Sequence, residues 1–425
     1  MKIKKLNIGS YRHLENINLD FTYPEGHAKA GMPLDKICFI GQSATGKTSI
    51  LELLKQSAFV LSGAEPLNGK GLLRHEGLKF DGEVEFLYED IQLAVNRNGA
   101  HVDGNQYFKF LQKRGPAWSA PELKLLYFSA EIISDKIIRI FNQNPLNILN
   151  ALSEGGQSYY HKRNDDSNYI YEFTQEVDEQ IWFSLLSKIL DYRKNFTQMA
   201  AELINKGSIG DLEKLNKEFN RWSEQNKNPL IPFAELFNPI IEKLNLEIDL
   251  VNTEYSIPIK SKVKNEIVPI SGLSTGTKGL LLSFFPLYEF NTDDAIILID
   301  EPERSLFPDL QVDLMSYYQR LAPNAQLITA THSPFIAAAF EPEERFILYF
   351  DDNGKISVRR GEAPIGDDPN DILRNDFQVD FYNDYGKKAY KQYLDLKRRM
   401  QEETEPQKKK ELLSELTQLG DKYNF

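Results

Sequence analysis

The sequence predicts an α/β fold in which a mixed sheet carries an antiparallel subsheet, with a helical insertion and a C-terminal helical tail. Short apolar runs such as DKICFI, AIILIDE and AQLITATH are typical of buried parallel strands. Two stretches near the N-terminus alternate apolar and polar residues, which is typical of antiparallel strands with one solvated face. Between about Ile132 and Leu250 the apolar residues follow helical spacing, so we expect helices to interrupt the sheet.

The N-terminal part begins with KIKKLNI and NINLDF, which predict two strands joined by a short turn. DKICFI then leads into a glycine-rich turn, and the following KTSILELLKQSAFVL has helical spacing. The segments GEVEFLYED and IQLAVNRNGAHV predict an antiparallel subsheet, with Asn98-Gly99 as a hairpin turn. LKLLYFSAE predicts a further buried strand.

The middle part contains two predicted amphipathic helices, separated by Gly207 and Gly210. The apolar positions of the longer helix are Val177, Ile181, Leu185, Ile189, Phe196, Met199 and Leu203. Those of the shorter helix are Leu212, Leu215, Phe219 and Trp222. We expect these leucines and aromatic residues to be core.

In the last third, RFILYFDDNGKISVRR predicts a hairpin around Asn353-Gly354, and the acidic DDPND stretch predicts a helix cap. The end of the chain predicts two charged helices separated near Pro406. The chain therefore divides into the N-terminal half of the α/β unit, a mainly helical insertion, the C-terminal half of the α/β unit and a helical tail, at 1–131, 132–265, 266–375 and 376–425.

Composition restricts the class of protein. The 425 residues allow two or three domains of roughly 100–200 residues each. No apolar run reaches the ~20 residues of a membrane helix, and we expect no targeting peptide at the N-terminus. The net charge of −12 disfavours a general nucleic-acid coat, although a local basic groove stays open. The single cysteine, Cys38, cannot form an internal disulfide, and a small buried thiol fits a reducing cytoplasm.

A phosphate-binding loop is predicted where a strand meets a helix. Gly41, Gly46, Lys47 and Thr48 fit the pattern G-x-x-x-x-G-K-[ST] in the structural context that it requires. The glycines let backbone N–H groups face phosphates, Lys47 would reach the β- and γ-phosphates, and Thr48 would bind Mg²⁺. The alternative is a glycine-rich turn with a chance lysine. The expected nucleotide-binding residues are Gly41, Gln42, Ser43, Ala44, Thr45, Gly46, Lys47, Thr48 and Ser49.

Two further strand ends carry candidate catalytic residues. Asp300 follows an apolar run, where ligands bind in open α/β sheets, and it suits a Mg²⁺ ligand. Glu301 is placed to polarise an attacking water as a general base, and His332 could hydrogen-bond that water or the γ-phosphate. The alternatives are a solvated strand end with Glu301 beginning a helix, and a capping or core histidine. Because three strand ends converge, we favour a catalytic set of Glu301, His332 and Lys47.

A second phosphate-binding turn is predicted in ISGLSTGTKGLLL, where Ser274, Thr275 and Gly276 enter an apolar helix. The loop of Lys47 already supplies one phosphate site. We therefore expect Ser274 and Gly276 to bind the γ-phosphate held by another copy of the chain. The alternative is an ordinary serine helix cap.

Taken in order, GQSATGKTS, LSTGTKG, LIDEPE and THS resemble the Walker A, signature, Walker B and switch-histidine motifs of ABC-type ATPases. The resemblance implies an ABC-type P-loop ATPase head, a hydrolase that uses ATP and Mg²⁺. Each ATP would lie between the Walker A loop of one copy and the signature loop of another. KIKKLNIGSYRHLENINLDF, EPERSLFPDLQ and ITATHSPFI further resemble the SMC/RecF/OLD branch of these ATPases, and the likeness covers pieces of 1–375.

The sequence departs from this branch at several positions. Phe307 stands where OLD-like proteins usually have histidine. No clear Q-loop glutamine is found, and Ser129 and Glu131 are the weak candidates in its region. Tyr11 and Arg12 match an aromatic–arginine pair near the nucleotide in this branch, with an ordinary strand-end pair as the alternative.

LSTGTKGLLL, FAELFNPIIEKLNLEIDL and PIGDDPNDILRNDF resemble small OLD-like ATPases of bacterial antiphage defence, such as the PtuA component of Septu and the AriA component of PARIS. This implies a cytoplasmic, ATP-driven sensor and scaffold, a dimer or larger homo-oligomer that controls a separate effector, either nuclease or toxin. No residue cluster with nuclease metal spacing appears in the sequence, so we expect that activity in the partner. The tail is the candidate docking surface, with apolar positions at Tyr390, Tyr393, Leu394, Leu396, Leu412, Leu413, Leu416 and Leu419; a hairpin packed on its own fold is the alternative.

A RecF-like DNA repair ATPase that clamps DNA is the alternative function. It predicts DNA-stimulated hydrolysis and salt-sensitive DNA binding. The acidic balance of the chain disfavours it. A transporter ATPase is disfavoured by the EPE motif and the N-terminal strands, and we expect no membrane partner.

Overall fold

The structure is a computed structural model of the chain. It describes residues 1–62, 78–102, 105–106, 122–154, 169–176, 179–207, 210–379 and 382–423. Val177 of the predicted longer helix lies outside these residues.

The strands are β1 (Lys2–Tyr11), β2 (Leu14–Asp20), β3 (Lys36–Gly41), β4 (Asp81–Tyr88), β5 (Ile91–Asn96), β6 (Gly99–Val102), β7 (Asn105–Gln106), β8 (Lys124–Phe128), β9 (Tyr169–Phe173), β10 (Leu246–Ile248), β11 (Ile259–Ser261), β12 (Ile267–Val268), β13 (Ile296–Asp300), β14 (Gln326–Ala330), β15 (Arg345–Phe350) and β16 (Ile356–Arg360). The α-helices are α1 (Lys47–Ser62), α2 (Asp135–Asn142), α3 (Pro145–Glu154), α4 (Glu179–Asn205), α5 (Leu212–Gln225), α6 (Leu230–Ile241), α7 (Thr275–Glu289), α8 (Pro308–Leu321), α9 (Pro334–Ala337), α10 (Pro369–Asn375), α11 (Asp384–Glu402) and α12 (Pro406–Tyr423).

A seven-stranded central sheet has the order β16-β15-β3-β14-β13-β8-β9. All neighbours pair in parallel except the hairpin of β15 and β16, which confirms the predicted mixed sheet. The apolar runs of its inner strands are buried on both faces. On β3, Ile37 and Phe39 belong to one hydrophobic core, and Cys38 and Ile40 belong to the core on the opposite face. The sheet thus separates two cores, as period-two alternation requires.

A second, antiparallel sheet has the order β2-β1-β4-β5-β6-β7 and confirms the predicted subsheet. Helix α1 lies between the two sheets and contacts strands of both. The hairpin turn of β5 and β6 falls one residue before the predicted position. Asn96 pairs with Gly99, so Arg97 and Asn98 form the turn and Gly99 begins β6.

The segment 132–265 was predicted to be mainly helical, and it does supply helices α2 to α6. It also supplies β9, which pairs in parallel with β8 and extends the central sheet. The rings of Phe128 and Phe173 stack across this pair with their centroids 5.0 Å apart. The pattern YIYEF did not predict this strand, because it lies in a part of the chain whose apolar residues otherwise follow helical spacing.

The two predicted amphipathic helices are present as α4 and α5. The stripe on α4 is core in part: Leu185, Ile189 and Leu203 are buried, whereas Ile181, Phe196 and Met199 are half-buried. The expectation of core residues is wrong for α5, where Leu212 is 72% exposed and Phe219 is 40% exposed. A helical period shows which side chains share a face, but it does not show what covers that face. In α5 the face is only partly covered by α4, through the contact of the Phe196 and Trp222 rings.

The two predicted C-terminal helices are present as α11 and α12, and α12 begins at Pro406, near the predicted break. The two helices pack against each other. Asp368 caps α10 by accepting a hydrogen bond from the backbone N–H of Asn370, which confirms the predicted cap. Within the described residues, no helix combines the length and the apolar character needed to cross a membrane.

Candidate functional site

The glycines of the phosphate loop are required by the fold. Gly41 ends β3 with φ of +146°, and a Cβ there would lie 2.1 Å from the carbonyl oxygen of Leu348 on β15. Gly46 has φ of +93°, and its Cβ would lie 2.7 Å from the side chain of Leu14. A side chain at either position would collide with the neighbouring strand or strain the backbone. The loop therefore turns tightly between β3 and α1, with its backbone close to whatever it binds.

Lys47 begins α1 and folds back over this loop. Its Nζ donates hydrogen bonds to the carbonyl oxygens of Gly41 and Gln42, both at 2.9 Å. Burial lowers the pKa of Lys47 to about 8, against the nearby carboxylates of Glu301 and Asp300, which raise it. Among the described residues, the buried ammonium of Lys47 donates to these two carbonyl oxygens and to no carboxylate. Phosphate oxygens would give it a partner of opposite charge.

The remaining loop residues lie on its outer side, except for Thr45, which is buried. Gln42, Ser43 and Ala44 are exposed, while the Thr45 hydroxyl donates to the carbonyl oxygen of Gln42 at 2.8 Å.

Arg12 lies in the turn between β1 and β2 and contacts helix α1, which follows the phosphate loop. It donates to the Ser49 hydroxyl at 3.1 Å and pairs with Glu52 at 2.6 Å. The pair of Tyr11 and Arg12 therefore lies against the start of α1.

Thr48 and Asp300 meet beside the loop. The Thr48 hydroxyl donates to the Asp300 carboxylate, at 3.0 Å to Oδ2 and 3.2 Å to Oδ1. Burial raises the pKa of Asp300 to about 6, while this hydrogen bond lowers it. Mg²⁺ prefers oxygen ligands and commonly takes one or two carboxylates together with substrate phosphates. A hydroxyl and a buried carboxylate fit that ion, which would also neutralise the buried charge.

Glu301 and His332 face each other across the same edge. Glu301 Oε1 lies 3.9 Å from His332 Nε2, and both side chains are partly exposed, so water can reach them. Glu301 has φ of +48°, and its N–H donates to the carbonyl oxygen of Ala330 at 2.8 Å. Burial and the nearby Lys47 lower the pKa of His332, against the Glu301 carboxylate, which raises it, and the net shift favours the neutral imidazole. The pair can polarise a water and hydrogen-bond a phosphate oxygen.

Strand order explains why these residues converge. β3, β14 and β13 are adjacent and parallel, so the phosphate loop, His332 and the acids at the end of β13 lie at one edge of the sheet. The predicted convergence of three strand ends is therefore present in the fold.

The second predicted phosphate turn has a local structural role. Ser274 caps α7 by accepting the N–H of Thr277 at 3.2 Å. Gly276 packs against the loop after Glu301, where a Cβ would lie 2.4 Å from the carbonyl oxygen of Ser305. Within the part of the chain that is described, no hydrogen bond joins Ser274 or Gly276 to the loop of Lys47. Their contact with the ATP of another copy stays a prediction.

A cavity of about 170 Å³ lies between the end of β13 and the start of α7. Ser129 and Glu131, the two Q-loop candidates, line it beside Asp300 and Glu301. Gln175 lines it too, directly after the unpredicted strand β9. The sequence analysis missed Gln175 because it missed that strand.

Glu303 is a second residue that the sequence analysis did not assign. Its Oε1 accepts a hydrogen bond from the backbone N–H of His332 at 2.8 Å. Burial raises the pKa of the Glu303 carboxyl, while that hydrogen bond lowers it. Its position as the second glutamate of the EPE motif was the available signal. The sequence could not show its partner, because a hydrogen bond to the backbone of another strand leaves no pattern in residue spacing. Across the described ranges, no three His, Cys, Asp or Glu side chains gather as a metal site.

Comparison with known protein families assigns the chain to one of them. A family model described as AAA ATPase domain matches residues 84–337, more than half of the chain and C-terminal to the phosphate loop. No curated protein matches the sequence.

Three solved structures of SMC heads are similar to the chain. An SmcHead bound to the C-winged helix domain of ScpA is 16% identical with a TM-score of 0.42, over 85% of this chain and 97% of that chain. The SMC head domain from Thermotoga maritima is 13% identical with a TM-score of 0.41, over 85% and 100%. A Smc head domain with an extended coiled coil, bound to the C-terminal domain of ScpA derived from Pyrococcus furiosus, is 15% identical with a TM-score of 0.39, over 84% and 96%. Likeness at this level says nothing about activity.

Proposed function

We propose, because the chain belongs to the family of AAA ATPase domains, that it hydrolyses ATP at the edge of its central sheet and that ATP joins two copies as in ABC-type ATPases. One observation carries the hydrolytic part: Lys47, Thr48, Asp300, Glu301 and His332 lie at the ends of three adjacent parallel strands. A phosphate cradle, a pair of oxygen ligands and a candidate base thus face the same space.

The residues have separate tasks. Lys47 exchanges its two loop carbonyls for phosphate oxygens, and Thr48 and Asp300 are the residues that would hold Mg²⁺. Mg²⁺ in that position would offset the negative charge of the phosphate oxygens. Glu301 accepts a proton from the attacking water, and the neutral His332 hydrogen-bonds the γ-phosphate, so its position depends on whether ATP is intact.

The site is composite across a dimer in this proposal. The N-terminus of α7, capped by Ser274, offers backbone N–H groups to the γ-phosphate of a second copy. Gly276 packs on Ser305, which lies four residues after Glu301. This contact supports a direct link, within one copy, between the catalytic Glu301 and the Ser274–Gly276 turn that binds the ATP of the other copy.

The biological role that we propose is that of a sensor and scaffold in antiphage defence, cytoplasmic and controlling a separate effector. The motif resemblance supports this role. The tail supports a docking surface, since Leu394 and Leu413 are 46% and 50% exposed on helices rich in lysine and arginine. Large apolar side chains exposed on a helix pair are typical of protein contacts.

Phage survival tests this role. The native operon would be expressed with wild-type protein, with Lys47→Ala and with Lys55→Ala as a control. Lys55 is a half-buried lysine of the same helix, but it pairs with Glu172 at 2.9 Å, away from the loop. We expect Lys47→Ala alone to abolish protection. Intact protection with Lys47→Ala would show that ATP does not drive defence, and hydrolysis stimulated by duplex DNA would favour the repair alternative.

A further inference from the structure

Glu303 has no task in the mechanism above, although it touches the catalytic set. It lies two residues after Glu301, and its Oε1 accepts the backbone N–H of His332. Its Oε2 is buried, and the side chain of the neighbouring Thr331 lies close enough to lower the pKa of the Glu303 carboxyl. A buried carboxylate held at this point by the backbone of another strand calls for a functional explanation.

Two hydrogen bonds fasten the loop of Glu301 to the end of β14. The N–H of Glu301 donates to Ala330 at 2.8 Å, and Glu303 accepts from His332 at 2.8 Å. At the first of these two points the backbone of Glu301 is left-handed, with φ of +48°. A non-glycine residue keeps such a conformation only where its surroundings impose it. The two bonds impose it here, and they also fix where His332 leaves its strand.

We propose that Glu303 is a positioning residue for hydrolysis, which sets the separation of the His332 imidazole and the Glu301 carboxylate through its bond to the His332 backbone. That separation is 3.9 Å between Nε2 and Oε1. The proposal rests on the proposed ATPase function. Glu303 acts on the orientation of the groups around the water. Its charge raises the pKa of Lys47, but among the described residues it makes no hydrogen bond to that lysine.

Steady-state ATP hydrolysis by the full chain, read as separate kcat and KM values, tests the role of Glu303. Because a displacement of about 1 Å costs on the order of 100-fold in rate, we expect Glu303→Ala to lower kcat about 10- to 100-fold. KM for ATP should stay within about threefold, since a loss confined to kcat marks a contribution to the transition state. Glu303→Gln keeps an oxygen for the His332 N–H and should restore kcat to within about threefold of wild type.

Glu344 provides a matched control. It is another buried glutamate whose carboxylate accepts a backbone N–H, that of Glu341 at 2.9 Å, but it belongs to a helix cap away from the site. Glu344→Ala should reduce stability and leave kcat of the folded protein unchanged. If Glu303→Ala does not fold, Glu303→Asp gives the same comparison, because its shorter side chain draws the acceptor away from His332.

Unchanged kcat in a folded Glu303→Ala or Glu303→Asp protein would overturn the inference. Equal losses of kcat in Glu303→Ala and Glu303→Gln would also overturn it, because the negative charge of Glu303, and not its bond to the His332 backbone, would then be the cause. These results require an active wild type. A wild-type protein that does not hydrolyse Mg²⁺-ATP would instead overturn the proposed function itself.

Discussion

The Thr48 hydroxyl donates a hydrogen bond to the Asp300 carboxylate at 3.0 Å, although 252 residues separate the two in sequence. The contact exists because β3 and β13 flank β14 in the sheet, so that the two halves of the α/β unit build one site. The intervening segment 132–265 adds β9 at the far edge of the same sheet and leaves the site intact. Neither half of the unit holds a complete set of phosphate and metal ligands.

Lys47→Ala should weaken ATP binding. A hydrogen bond to a charged group contributes about 1.5–3 kcal/mol, which corresponds to about 10- to 100-fold in Kd. Calorimetric titration with Mg²⁺-ATP measures the change. Lys55→Ala should bind ATP as the wild type does, because the Lys55 ammonium pairs with Glu172 instead of the loop. Equal affinity of Lys47→Ala and wild type would remove Lys47 from the nucleotide site.

Replacing each of two glycines of α7 by alanine should change the stability of the protein in opposite directions. A Cβ at Gly276 meets the Ser305 carbonyl oxygen at 2.4 Å, whereas a Cβ at Gly279 meets no atom within 4 Å. We expect Gly276→Ala to destabilise by about 1–3 kcal/mol through overpacking and to lower hydrolysis by displacing the loop of Glu301. Gly279→Ala should stabilise the protein by about 0.5–1 kcal/mol through helix propensity. Urea unfolding of both variants checks the signs, and a destabilised Gly279→Ala with an unaffected Gly276→Ala would contradict the packing described for α7.

The ion pairs of Asp35 should stabilise the folded state at neutral pH, and this stabilisation should be lost at acid pH. Burial alone would raise its pKa, but hydrogen bonds from Lys2 and Lys29 outweigh burial and hold the pKa at about 2. Since the folded pKa lies below the unfolded value, the stabilisation is complete above about pH 4 and is lost as pH falls towards 2.

The Asp35→Asn variant measures that contribution. We expect it to be less stable than wild type by no more than about 1 kcal/mol at pH 7, because these side chains are partly exposed to solvent. Urea midpoints of the two proteins should approach each other between pH 4 and pH 3. A gap that widens with acid would show that the ion pairs are not its source.

The exposed leucines of the tail should matter to a partner and not to hydrolysis. Leu394→Glu and Leu413→Glu should abolish co-purification of a neighbouring gene product, because each introduces a charge into an apolar contact. The ATPase rate of the isolated chain should stay within about twofold. Val251→Glu is the control, since Val251 is 86% exposed and lies outside the tail. Co-purification with both tail variants would place the docking surface elsewhere.

The sequence predicted those parts of the site that follow apolar strands. Asp300 and His332 were found because each follows a buried run, and neighbouring parallel strands bring such ends together. Gln175 was missed because the strand before it, β9, lies in a part of the chain whose apolar residues otherwise follow helical spacing. Glu303 was missed because its partner is a backbone N–H on another strand. The exposure of α5 could not be read from its period, which identifies a face but not what covers it.

The most direct test of the composite site is the native mass of Glu301→Gln, expressed with its neighbouring genes and measured with and without Mg²⁺-ATP. The glutamine removes the base but keeps the shape of the side chain, so ATP should stay bound and hold two copies together. We predict that Mg²⁺-ATP shifts the protein from a single chain to a dimer or larger assembly with a co-purifying protein. A mass equal to that of one chain in both conditions would contradict the account.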